Sequence, residues 1–480
     1  MSSPFRQRGI VEGFYGRPWA HADRLWWIEQ LARLGMNTYV VAPKDDPLQR
    51  QHWREPYPDA EQARFAELAE HGNRAGVAVG FALSPGLSIR YSDAEDVATL
   101  LAKLRGFAAL GSRFVTLCVD DVPIELAHPE DRAAFGSLAA AHVALAHTLC
   151  AALGPEVSLW LVPTDYAGNE DSAYLEELGA RLDPSIEVAW TGRTTVPPSV
   201  RADEAQARAA LLRRRPLLWD NVPVSDGPMR TMLHLVPYRG REVALAEHLS
   251  GVLLNPMQHA RASYVTVAGA AAYLRDPQHF DAEVAWRDAV RTLGAGAEDA
   301  FETFALAHRF SPLTPDERDP ALESAWRDFR RGRTSDSSNS LRELVEARIA
   351  AGDTLRASLE DRRLLAELEP WLAGHERESR RIAAALDLLD ALAGPGDSLA
   401  KSLAWTRCEG RLTLNAPAAT TSYGPRRVLY PQLVGLASSS ARFGADPALF
   451  RARCLGDEIV DFAAECALAA VGPRGGDVVS

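Results

Sequence analysis

The sequence predicts a (β/α)8 barrel followed by an all-α bundle. Three observations carry this: eight short β-rich apolar runs in the first half, amphipathic stretches between them, and a strand signal that stops after Tyr273. Apolar runs alternating with helical-period stretches indicate βαβ units and a parallel sheet. Eight such units in roughly 270 residues suit a barrel, whose usual length is about 250.

The runs, in order, are Gly9–Phe14, Asn37–Ala42, Ala78–Leu83, Phe114–Asp120, Val157–Pro163, Ile186–Trp190, Leu217–Asn221 and Gly251–Asn255. Helical stretches such as His21–Leu34, Glu61–Ala75 and Asp93–Leu110 separate them. A doubly wound open sheet is the alternative and needs a Gly-rich phosphate loop after an early strand. The one candidate, Gly13–Pro18, places Pro18 and bulky aromatics where that loop requires small residues, so the barrel is preferred. Beyond the barrel, Asp281–His308, Pro320–Arg331, Ser340–Leu368 and Ala373–Leu392 have helical periodicity. Thr334–Ser340 is expected as a polar loop, Gly394–Asp397 as a break and Pro417–Pro425 as a long loop, after which Arg426–Ala470 is helix-compatible. The expected domains are a catalytic barrel over 1–275, a helical bundle over 276–470 and a disordered tail over 471–480.

Composition narrows the function. Of 480 residues, 47% are hydrophobic and 24% charged, ordinary globular values that exclude a mainly disordered, fibrous or membrane-embedded chain. A formal charge of -12 disfavours a nucleic-acid partner. The short basic clusters Arg213–Arg215 and Arg330–Arg333 read as solvated faces. Five widely spaced cysteines without Cys-x-x-Cys indicate reduced, buried thiols. The N-terminus lacks an apolar signal core and no run is long enough to span a bilayer, so a cytoplasmic protein with no membrane partner is expected.

In such a barrel the active site lies at the C-terminal strand ends. The residues there are Gly13, Lys44, Ser84, Asp120-Asp121, Asp165-Tyr166, Trp190-Thr191, Asp220 through Asp226, and Asn255. Carboxylates, amides, one amine and aromatics together suit a neutral polyhydroxylated ligand. Asp120 and Asp121 close an otherwise apolar strand, where like charges raise one pKa and keep one acid protonated, as glycoside hydrolysis requires. The competing reading is that one of them caps the following turn. Asp45-Asp46 is read as pairing with Lys44, or with Arg50 and Arg54, across the loop. Lys44 fits a surface position or a ligand contact equally well. Trp190 and Trp219 are read first as core, Tyr166 stays open between core and site, and Asn255, which precedes Pro256, between turn and site. No metal-ligand spacing falls near the strand ends, His142 and His147 being at an unfavourable helical offset, so neither metal nor cofactor is expected.

With these residues in place the chain resembles glycoside hydrolase family 84, the β-N-acetylglucosaminidases that include the protein O-GlcNAcases. The resemblance spans about the first 275 residues, the length of one barrel. It rests on Gly9–Trp19 (GIVEGFYGRPW), Asn37–Asp46 (NTYVVAPKDD), Ser84–Gly86, Val119–Asp121, Val162–Tyr166, Trp190–Gly192, Leu218–Asn221 and Gly251–Pro256, each at a different strand end. The resemblance implies retaining hydrolysis in which the substrate's own 2-acetamido oxygen attacks the anomeric carbon, giving an oxazoline. By it Asp120 accepts the acetamide N–H, Asp121 is the general acid and then base, and Tyr166 hydrogen-bonds the attacking oxygen. By it also the Gly13 backbone, Lys44, Asp226 and Asn255 hold the sugar hydroxyls, Asn221 supports Asp120 and the acetamido group, and Trp219 walls the methyl pocket. The implied partner is a glycoprotein, glycopeptide or oligosaccharide bearing N-acetylglucosamine, with a homodimer contact through the helical domain as a further expectation. Two rivals stand beside this reading: a catalytically silent N-acetylhexosamine-binding protein, and specificity for N-acetylgalactosamine.

Overall fold

Eight parallel strands close on themselves in chain order. They are β1 (Gln7–Glu12), β2 (Thr38–Val41), β3 (Ala78–Leu83), β4 (Phe114–Cys118), β5 (Ser158–Val162), β6 (Glu187–Trp190), β7 (Leu217–Asp220) and β8 (Gly251–Leu254). The ring is sealed where β8 pairs with β1, from Gln7↔Gly251 to Ile10↔Leu254. The computed structural model describes residues 3–309 apart from 169, 171 and 231, then 317–332, 335–396, 400–404 apart from 402, and 455–471.

The strands are apolar on both faces because helices cover the outside and side chains fill the inside. Val11, Val40, Ala82, Cys118, Val162, Ala189, Trp219 and Leu253, one from each strand, belong to a single buried cluster, which marks them as the inward-facing set. Near the other end of the barrel Phe114 stacks on Trp160 with ring centroids 3.9 Å apart. Gly80 makes room for this pair, since a Cβ there would sit 2.0 Å from the Phe114 ring. On the outside, the helix Ala94–Ala109 begins where the Asp93 carboxylate accepts from Glu95 N–H, and the helix Asp59–Ala75 ends at Gly76, left-handed at φ 75°.

The described residues form two compact units: one comprises 3–228 with 237–286 and holds the barrel, the other comprises 229–236 with those from 287 onward and is helical. In the helical unit Trp326, Phe329, Leu341, Val345, Ile382, Leu386, Leu389 and Ile459 share one core. Several helix limits differ from the sequence reading. Asp281–His308 is two helices, Ala282–Leu293 and Glu298–Ala307, because Gly296 turns left-handed at φ 84°. Of the expected loop Thr334–Ser340, Ser335–Ser340 is helical, opening a helix from Ser335 to Ser358 with Asp336 favourably placed in its first turn, and Thr334 lies outside the described residues. The next helix is Arg362–Ala393, capped by Asp361, and it continues through Pro370, flanked by buried Leu368, Trp371 and Leu372. The expected loop Pro417–Pro425, residues 426–454 and the tail 472–480 lie outside the described residues. Among the described residues no helix is long and apolar enough to cross a membrane.

Candidate active site

Successive side chains of a strand point to opposite faces, so the inward set continues two residues beyond each strand's last core position. From Val11, Ala42, Cys118, Trp219 and Leu253 that rule leads to Gly13, Lys44, Asp120, Asn221 and Asn255. From Val162 it leads through Thr164 to Tyr166, itself part of the interior cluster. These side chains meet at one mouth of the barrel.

Asp120 and Lys44 are both buried, and Lys44 Nζ donates to Asp120 Oδ2 at 2.6 Å. Burial is the largest influence and pushes the Lys44 ammonium down, but the Asp120 carboxylate, with Cys118, Tyr15 and Asp121 adding to it, outweighs burial and the net shift is upward, so Lys44 stays charged. Among the described residues, the other Asp120 oxygen, Oδ1, is buried and accepts no hydrogen bond. A carboxylate oxygen so placed costs stability unless it serves a ligand donor.

Asp121 follows Asp120 directly and would point outward if the strand simply continued. Its backbone is instead left-handed, with φ 51°, which breaks the alternation and keeps the second acid at the mouth. Two phenols hold it there: Tyr15 donates to Oδ2 at 2.7 Å and Tyr166 to Oδ1 at 3.0 Å. Burial first, and then the Asp121 charge, push both phenols up, so they remain donors at neutral pH.

A chain of amides ties the far side together. Gly13 N–H donates to Asn255 Oδ1 at 3.2 Å, and Asn255 Nδ2 to Asn221 Oδ1 at 2.8 Å. Asn221 Oδ1 also accepts from Trp219 Nε1 at 3.1 Å, and Asn221 Nδ2 donates to the Thr195 carbonyl at 2.6 Å. A Cβ on Gly13 would meet the Trp219 ring at 2.2 Å, so glycine is required for the indole to lie across the opening. Asp226, on the loop after β7, accepts from Tyr15 N–H at 2.9 Å. Its carboxyl is pushed up to about 6, by burial first, with the Asp121 and Asp45 charges adding to it against the Tyr15 N–H.

The nine residues singled out in the sequence thus line one opening, two of them with partners other than those expected. Lys44, expected on sugar hydroxyls, is bonded to Asp120. Asn221, expected beside Asp120, bonds Trp219, Asn255 and Thr195. The Asp45-Asp46 reading is corrected. Asp45 accepts from Gly16 N–H on the loop after β1, and Asp46 accepts from Leu48 N–H and from the Tyr57 hydroxyl, while Lys44 and Arg50 are engaged with Asp120, Tyr15 and the Asp121 carbonyl. Arg54 pairs with Asp96 instead. Tyr15 and Arg50 escaped the sequence reading as site residues. Their signal, a tyrosine inside GIVEGFYGRPW and an arginine six residues after Lys44, acquires meaning only when the two loops meet. Among the described residues no group of three His, Cys, Asp or Glu side chains is arranged to hold a metal ion.

A closed parallel barrel with adjacent acids at its C-terminal mouth, walled by indole, phenols and amides, defines a glycoside hydrolase. The chain belongs to the β-N-acetylglucosaminidase family, glycoside hydrolase family 84, whose sequence profile matches residues 8–306. The proteins named Protein O-GlcNAcase of Rattus norvegicus and of Mus musculus are each 34% identical to it over 273 residues, 56% of this chain and 30% of theirs. The chain therefore matches less than a third of the length of these curated relatives. Among solved structures, a mutant of the Thermobaculum terrenum O-GlcNAc hydrolase is similar at 30% identity and TM-score 0.82, covering 97% of this chain and 95% of that one. The structure titled CpGH84B is similar at 26% identity and TM-score 0.74, covering 86% and 74%.

Proposed function

We propose that the protein is a retaining exo-β-N-acetylglucosaminidase that removes terminal β-linked N-acetylglucosamine from glycoproteins or other glycoconjugates through an oxazoline intermediate. The observation that carries this reading is the asymmetry of Asp120: one oxygen bonded to Lys44, the other buried and without a donor among the described residues. An acetamide N–H is the donor it suits. As the acetamido oxygen bonds to the anomeric carbon, positive charge develops on the amide nitrogen, and an ionised Asp120 stabilises it most at that moment.

In the first step the Asp121 proton passes to the glycosidic oxygen as the bond to the anomeric carbon breaks and its electron pair moves to that oxygen. In the second step Asp121 takes a proton from the water that opens the oxazoline. Tyr166, which donates to Asp121 Oδ1, turns its hydroxyl to the attacking acetamido oxygen when the sugar binds. The Gly13–Asn255–Asn221 chain and Asp226 hold the ring hydroxyls, and Trp219 covers the acetamide methyl group. A silent binding protein has no use for the second acid and its two phenol donors.

Substituting each acid tests the division of labour. Asp121→Asn should lose roughly 10² to 10⁴ in kcat/KM on a sugar–serine linkage, and far less on an aryl glycoside whose leaving group needs no proton. Asp120→Asn should suffer on both. Equal losses for Asp121→Asn on the two substrates would remove it as the general acid.

A further inference from the structure

Arg50 lies on the loop after β2 and is 8% exposed. Its Nη1 donates to the Tyr15 hydroxyl oxygen at 2.5 Å, and its Nη2 to the Asp121 backbone carbonyl at 3.3 Å. The guanidinium carbon lies 5.5 Å from the centroid of the Tyr15 ring. The Tyr15 hydroxyl in turn donates to Asp121 Oδ2 at 2.7 Å. One cation thus grips Asp121 twice, at the carbonyl of a residue with left-handed backbone and, through a phenol, at its carboxylate.

The loop that presents Arg50 is itself fixed. Ser84 N–H donates to the Gln49 carbonyl at 2.9 Å, and Gln49 Nε2 to Ser84 Oγ at 2.8 Å. Asp46 ties the start of the loop by accepting from Leu48 N–H and the Tyr57 hydroxyl. Tyr15 is equally constrained, its backbone N–H held by Asp226 and that of Gly16 by Asp45.

We propose that Arg50, acting through Tyr15, is a positioning residue that selects which oxygen of Asp121 carries the transferred proton. The inference rests on the reading of Asp121 as general acid. A hydroxyl whose oxygen accepts from a cation is a stronger donor. Tyr15, polarised by Arg50, therefore keeps Oδ2 as an acceptor, and the acidic proton resides on Oδ1. When Tyr166 leaves Oδ1 for the acetamido oxygen, that proton is the one delivered to the glycosidic oxygen. Without Arg50 the proton distributes over both oxygens, the carboxyl swings about its left-handed backbone, and proton delivery suffers while sugar binding does not.

The test measures kcat and KM for wild type, Arg50→Met, Arg50→Lys, Tyr15→Phe and Asp121→Asn on aryl β-N-acetylglucosaminides of rising leaving-group pKa and on a serine-linked sugar. Arg50→Met should lose about threefold in kcat on the most activated aryl substrate and about 100-fold on the serine-linked one, the lower end of a general-acid contribution, with KM within about threefold. Arg50→Lys should recover about tenfold of the larger loss, because an ammonium can still donate to Tyr15. Tyr15→Phe should show the same leaving-group dependence, and combining it with Arg50→Met should add little. A loss uniform across the series, no loss on the serine-linked sugar, or Lys no better than Met would overturn the proposal. Should Arg50→Met fail to fold, Tyr15→Phe decides alone by the same criterion. A uniform loss in Asp121→Asn refutes the general acid itself, whereas a leaving-group-dependent loss there beside uniform losses at Arg50 and Tyr15 refutes only the role of Arg50.

Discussion

Three buried carboxylates sit at the C-terminal ends of the barrel strands, and they face two different ways. Glu12 and Asp220 occupy outward positions, next to the inward residues Val11 and Trp219. Both are saturated. Glu12 accepts from Arg24 at Oε1 and Oε2, each at 2.8 Å, from Tyr39 at 2.7 Å and from Trp19 N–H at 3.0 Å. Asp220 accepts from Arg241 through both oxygens and from the Tyr238 hydroxyl at 2.8 Å. Asp120 faces inward with a single donor, Lys44, and one oxygen unbonded among the described residues. Saturated acids outside tie the loops to the barrel; the unsaturated acid inside is the one proposed to meet the substrate. A cluster of buried charge is therefore not by itself an active site, and the count of lone pairs in use separates the two kinds.

The sharpest way to break this contrast is to neutralise each carboxylate in turn. Losing one partner of a saturated buried pair typically costs about 3–5 kcal/mol. Asp220→Asn and Glu12→Gln should therefore lower the unfolding midpoint strongly in a denaturant titration. Asp120→Asn should lower that midpoint by less, because Asp120 gives up the single donor Lys44 where Asp220 and Glu12 each give up several, while removing roughly 10² to 10³ in kcat. A stability loss at Asp120 equal to that at Asp220 would erase the distinction.

A smaller effect sharpens it from the side of Asp226, whose carboxyl lies near 6 in the folded protein against an ordinary 3.8. Protonation is favoured by the fold, so this group's contribution to stability is complete below about pH 4 and is lost as pH rises through about 6. Thermal melts of wild type and Asp226→Asn between pH 4 and 7.5 should diverge, the wild type falling relative to the variant as pH increases. Parallel melting curves would mean that Asp226 ionises freely.

Much of this site was legible because barrel geometry turns parity into position. Once the strands are located, Gly13, Lys44, Asp120, Asn221 and Asn255 follow by stepping two residues from the core, and the eight strands themselves show as short apolar runs. Asp121 obeys a different rule. Only its left-handed backbone brings it to the same opening, and nothing in the string Val119–Asp121 announces that turn. Tyr15 and Arg50 lay beyond reach for another reason: their meeting depends on how the loops after β1 and β2 fold over the mouth, which local periodicity does not encode. In the helical unit the errors were of boundaries. Asp361 starts a helix and Pro370 sits within it, so the residue that looks like a breaker does not break and an ordinary acid does.

The central claim is that the sugar's own N-acyl oxygen makes the attack while Asp120 restrains its N–H. The most direct measurement is kcat/KM on aryl glucosaminides whose N-acetyl group carries zero, one, two or three fluorines. Each fluorine weakens the acyl oxygen as a nucleophile, and the account predicts a steep, monotonic fall across the series, with no detectable cleavage of the corresponding glucoside. A flat series, or a glucoside cleaved as fast as the N-acetyl substrate, would contradict it.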